Sequence, residues 1–128
     1  MAMKLSLFMG ALMLGLAACA GPHEALVVAD MESLVIKDFT STASAACTTA
    51  DVDLTNAEAR QFFQRATPVS YRQLQDDYPH APCRLEGTLL HRGQLCGWSI
   101  SAAGTGSIVC GARAWYFACD DCDDLLVR

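Results

Sequence analysis

From Cys83 to Cys119 the pattern is that of strands, with apolar residues recurring at alternate positions, the period of strands with one buried face. Leu85 and Leu89 set the phase; Cys96, Trp98 and Ile100 repeat it, then Ile108 and Cys110, then Trp115, Phe117 and Cys119. Arg92-Gly93 is a two-residue turn signal between Cys83–His91 and Gln94–Ser101, and it pairs His91 with Gln94. Counting back, Leu89 faces Cys96, Gly87 faces Trp98 and Leu85 faces Ile100. A glycine opposite an indole leaves bare backbone for the ring to cover. Ala102-Ala103-Gly104 suits a three-residue loop with glycine in the left-handed position, which pairs Ser101 with Thr105, Trp98 with Ile108 and Cys96 with Cys110. A slip of one residue would separate the two cysteines and turn Trp98 away from Ile108. Arg113 to Cys119 is read as a fourth strand.

Upstream the period changes. Thr55 and Glu58 have capping-box spacing, and Ala59, Phe62, Phe63 and Ala66 then share one helical face, which predicts a helix over Asn56–Ala66 ended by Thr67-Pro68. Leu34 to Thr40 is rich in β-branched and aromatic residues and reads as a strand. Ser41 to Ala50, built of Ser, Thr and Ala around Cys47, reads as a loop. For Ser70 to Asp77 two readings stand: a short helix capped by Ser70 and Gln73, or an extended segment, because acidic residues oppose the dipole at a helix end. The expected fold class is α+β: a small disulfide-braced antiparallel β-meander from Cys83 to Cys119 with one N-terminal-side helix packed on it. Leu85, Leu89, Trp98, Ile100, Ile108 and Phe62 are expected to be buried.

The first residues follow another logic. Lys4 is the one charge before Glu24, and Leu5 to Ala18 is apolar apart from Ser6, the layout of a secretory signal peptide. That run is shorter than the roughly 20 residues a spanning helix needs. The tetrad Leu16-Ala17-Ala18-Cys19 resembles the lipobox of bacterial lipoproteins. The resemblance implies a diacylglycerol on the Cys19 sulfur, cleavage before Cys19 and acylation of the new amino group; Ala20 in second place implies sorting to the outer membrane. An ordinary secretory signal in which Cys19 is incidental is the alternative. The chain is then organised as signal peptide 1–18, lipidated N-terminus and tether 19–33, and one globular domain 34–128. Several acyl chains would hold such a protein firmly at the membrane.

Composition narrows the rest. The chain has 128 residues, enough for one domain, and a net charge of −5 that moves to −6 when residues 1–18 leave with Lys4. That balance offers no footprint for nucleic acid. Beyond Cys19, the cysteines Cys47, Cys83, Cys96, Cys110, Cys119 and Cys122 are even in number, which in an oxidising compartment reads as three disulfides. Register assigns Cys96 to Cys110. The other four are expected to join the ends of the domain, one of Cys47 and Cys83 to Cys119 and the other to Cys122; a local Cys119–Cys122 bridge with Cys47–Cys83 is the allowed alternative.

Candidate chemistry is sparse. Cys119-Asp120-Asp121-Cys122 is the one Cys-x-x-Cys, but the four aspartates at 120, 121, 123 and 124 raise a thiol pKa and disfavour redox use. Finger spacing for zinc and the ligand order of an EF-hand are both missing. His23, His80 and His91 have no nucleophile at a recognised spacing, and Gly104-Thr105-Gly106 sits between strands, which does not suit a phosphate loop. No cofactor or metal is expected. The segment Pro82-Cys83-Arg84-Leu85-Glu86-Gly87-Thr88, continuing through Trp98, Ile100, Gly104 and Gly106, resembles small secreted bacterial proteins of no assigned activity and implies nothing about function. The leading expectation is a non-enzymatic, envelope-anchored binding or inhibitor/immunity module. Its partners would be the membrane, through lipid on Cys19, and a protein in the envelope, with a basic hydrolytic one suiting the charge. The alternative is a small envelope redox protein or hydrolase using Cys119/Cys122 or a histidine such as His80 or His91 with Glu86.

Overall fold

In the computed structural model, which describes residues 25–126, the elements are β1 (Met31–Ser41), α1 (Asn56–Arg65), β2 (Thr67–Val69), α2 (Tyr71–Asp77), β3 (Cys83–His91), β4 (Gln94–Ser101), β5 (Thr105–Cys110), β6 (Arg113–Ala118) and the single-turn α3 (Asp123–Leu126). The protein is α+β. Its strands form one six-stranded antiparallel sheet in the order β1-β3-β4-β5-β6-β2.

The meander has the register the alternation predicts: Leu89 opposite Cys96, Gly87 opposite Trp98, Leu85 opposite Ile100, and Trp98 opposite Ile108. At the first turn both Arg92 (φ 51°) and Gly93 (φ 81°) are left-handed, the geometry that matches the twist of the two strands. Gly104 (φ 85°) ends the second loop as expected, donating its N–H to the Ser101 carbonyl at 3.0 Å. Gly87 is required by close approach. A β-carbon there would strike the Val35 carbonyl oxygen and come within 2.6 Å of the Trp98 ring, whose Nε1 donates to the Thr88 carbonyl at 3.0 Å.

Two edge strands extend the meander. β1 lies beside β3 and begins at Met31, three residues before the expected Leu34. The pairing shifts between Glu32 and Val35, where Ser33 has φ 54°. This bulge puts Met31 and Leu34 on the buried side although they are three apart, so the strand's start does not alternate and its composition reads as tether. The folded unit thus takes in residues 25–33, with Leu26 in the core. At the far edge, Thr67–Val69 pairs with β6, and Pro68 is accommodated because that strand has an open side.

Between the edges, α1 crosses the apolar face. The Thr55/Glu58 capping box forms with both hydrogen bonds, at 3.1 and 2.9 Å, and Ala59, Phe62 and Phe63 are buried. The ambiguous segment after it is a helix, α2, because Ser70 and Gln73 form a second reciprocal cap at 2.9 and 3.0 Å. Leu85, Leu89, Trp98, Ile100, Ile108 and Phe62 are all buried, as expected.

The disulfides are Cys47–Cys83, Cys96–Cys110 and Cys119–Cys122. Cys96–Cys110 follows from the register. The expected cross-links from Cys47 and Cys83 to Cys119 and Cys122 do not occur; the allowed alternative, Cys47–Cys83 with a local Cys119–Cys122 bridge, is what forms. β3 and β6 are three strand spacings apart, about 14 Å at 4.8 Å each, and a disulfide spans at most about 7 Å between α-carbons. β1 ends beside β3 instead, with Ser41 opposite Cys83, and its following loop delivers Cys47 to that cysteine.

Candidate functional site

The sheet's second face is set by the same alternation that buries the first. Between the buried positions of β4, β5 and β6 lie Ser99, Ser107 and Tyr116, paired in one row across the three strands. Ser101 and Thr105 occupy the positions next along β4 and β5 on this face. α2 and the segment that follows it cover part of the row, because the chain returns from the β2 edge to β3 on this side. The result is a groove of about 200 Å³, lined on one wall by Ser99, Thr105, Ser107 and Tyr116 and on the other by Leu74, Gln75, Pro79 and His80. Tyr71, at the start of α2, packs its ring edge-on against Tyr116 at 5.1 Å.

Besides Gln75 and His80, the groove's polar groups are hydroxyls and one neutralised ion pair. Ser99 and Ser107 share a hydrogen bond of 2.9 Å between their Oγ atoms. The Ser101 hydroxyl is taken by the Ala103 N–H at 2.9 Å. Arg84, at the rim, donates from Nε to Glu86 Oε1 at 2.6 Å. Thr105 is 9% exposed, the one buried polar residue among those described, and no protein group hydrogen-bonds its hydroxyl among the described residues.

The residues singled out from the sequence are distributed differently. Cys19 and His23 lie outside the described residues. His80 lines the groove, with Nε2 3.2 Å from the Gln75 carbonyl oxygen, while Glu86 is held by Arg84. His91 sits half-buried at the other end of β3, and its Nε2 is buried without a partner among the described residues. The two histidines therefore do not share a site, and neither is hydrogen-bonded to a serine.

Cys119 and Cys122 are bonded to each other and form a clasp. Cys119 donates its N–H to the Gly104 carbonyl at 2.9 Å, Cys122 is buried, and the turn between them delivers Leu125 and Leu126 of α3 to the core. Two of the aspartates around them, Asp121 and Asp124, meet a partner. Arg65, at the end of α1, reaches Asp124 through both terminal nitrogens, at 3.1 and 2.8 Å, and also donates to the Asp121 carbonyl. The hydrogen bond to Asp124 raises the Arg65 pKa above the ordinary guanidinium value. The acidic C-terminus is thus tied to α1. Among the described residues, one group of ligand atoms lies close enough to share a cation, Cys47, Asp51 and Cys83, and its two sulfurs are spent on each other. No helix among the described residues is long and apolar enough to cross a membrane.

The hydroxyl row escaped the sequence reading although its signal was present. A register that pairs Trp98 with Ile108 also pairs Ser99 with Ser107 on the opposite face. What alternation does not reveal is that α2 folds over that row. Compared with protein-family models, with curated proteins and with solved structures, the chain finds no match.

Proposed function

We propose that this protein is an envelope-anchored, non-enzymatic binding module, tethered by lipid on Cys19, whose recognition surface is the groove beneath α2. The observation that carries the reading is the pairing of all six cysteines among the described residues into structural disulfides. Three such bridges in a small domain suit an exported protein, because a reducing cytosol keeps thiols free. Four of the groups that a catalytic reading would use have other duties. Cys119 and Cys122 clasp the C-terminus, Glu86 neutralises Arg84, and His80 is turned to a backbone carbonyl.

Expression of the full chain in a bacterium with labelled palmitate tests the anchor. The wild-type protein is expected to incorporate label and to lose residues 1–18, whereas Cys19→Ser should do neither. A Cys19→Ser protein labelled as strongly as wild type would overturn the lipid anchor and with it the envelope assignment.

A further inference from the structure

We propose that the groove beneath α2 binds a single neutral pyranose unit of an envelope glycan. The proposal names a ligand class for the binding module put forward above, and it rests on that reading for where the glycan is met. Size comes first. A cavity of about 200 Å³ lies below the roughly 300–1,000 Å³ of sites that enclose drug-sized molecules, so it suits one ring of a longer chain.

The polar lining then selects the chemistry. Thr105 is nine-tenths buried, and its hydroxyl has no protein partner among the described residues, so it is left to bond a ligand in the groove. Ser99 and Ser107 use one hydroxyl hydrogen between them, so the other hydrogen and the remaining lone pairs are left for a ligand. These groups both donate and accept, as do the hydroxyls of a sugar, whereas a phosphate or carboxylate only accepts. An anion would also want an uncompensated cation, and the charge of Arg84 is offset by Glu86 at 2.6 Å. Tyr116, in the same row, adds a half-buried aromatic surface for the C–H face of a sugar ring, with Tyr71 packed against it.

The test uses the whole chain carrying Cys19→Ser, so that sugar binding is read independently of anchoring. N-acetylglucosamine is titrated into the isotopically labelled protein and followed by amide NMR shifts. Saturable shifts at Thr105, Ser107 and Tyr116 with a millimolar Kd are expected. Thr105→Val, which keeps the side chain's shape and removes its hydroxyl, should weaken binding roughly tenfold while leaving the rest of the spectrum in place. Ser99→Ala is a second variant with the same expected direction, should Thr105→Val fold poorly. Absence of saturable shifts, unchanged affinity in variants that fold, or an equal response to inorganic phosphate would each overturn the proposal. None of these outcomes bears on palmitate labelling, so failure here and failure of the anchor remain separate results.

Discussion

Phe63→Ala is expected to destabilise the domain by about 3–5 kcal/mol, a large share of the roughly 5–15 kcal/mol that holds a typical domain together. Phe63 is the hub of the aromatic core. Its ring meets Phe62 at 5.2 Å, Phe117 at 5.4 Å and Trp98 at 6.0 Å, each edge-on. It joins three elements: α1, which carries it, and β4 and β6, which carry Trp98 and Phe117. Gly106 makes the approach of α1 to the sheet feasible. A β-carbon there would come within 2.9 Å of Phe62 and 3.3 Å of Phe63. Truncating Phe63 leaves a cavity that neighbours fixed by strand pairing and disulfides cannot fill, so the cost should lie at the upper end for such changes. In urea unfolding with disulfides intact, the midpoint should fall with the slope unchanged. Leu95→Ala, at a position 67% exposed, should move stability by no more than about 0.5 kcal/mol. Equal effects from the two substitutions would contradict the packing of α1 on the sheet.

Replacing Cys47 and Cys83 together by alanine is expected to cost about 4 kcal/mol, the largest loss among the three bridges. The two cysteines are 36 residues apart in sequence, and the loop they close contains α1, β2 and α2, the segment that crosses both faces of the sheet. Opening it restores the most freedom to the unfolded chain. Cys96–Cys110 spans 14 residues and Cys119–Cys122 spans 3, for which the same relation gives about 3 and about 2 kcal/mol. Urea unfolding of the three double-alanine variants checks the order. A Cys119/Cys122 variant less stable than the Cys47/Cys83 variant would show that loop closure does not govern these bridges.

The parts of the fold legible in the sequence are those governed by local rules. Two short turns, Arg92-Gly93 and Ala102-Ala103-Gly104, determine the register of β3, β4 and β5, and that register places Cys96 against Cys110. The capping box at Thr55 marks the start of α1. The parts that were not legible depend on contacts distant in sequence. Nothing in Met31–Ser41 says that it pairs with β3, and the bulge at Ser33 conceals its alternation. Without that pairing Cys47 has no evident neighbour, so the disulfide expectation led to the wrong edge of the sheet. The groove is divided in the same way. Its floor of Ser99, Ser107 and Tyr116 is implied by the register, while its roof depends on the tertiary return of α2. The Arg65–Asp124 contact joins residues 59 apart in sequence, and the acidic run alone reads as a solvated tail.

The central claim, an exported and lipid-anchored module whose remaining cysteines are all structural, is tested most directly by one peptide map. Protein taken from bacterial membranes is alkylated without reductant, digested and analysed by mass spectrometry. The account predicts an N-terminal peptide that starts at acylated Cys19, three cystine peptides joining Cys47 to Cys83, Cys96 to Cys110 and Cys119 to Cys122, and no alkylated cysteine. A chain that retains residues 1–18 with unmodified Cys19, or alkylation at Cys119 or Cys122, would contradict it.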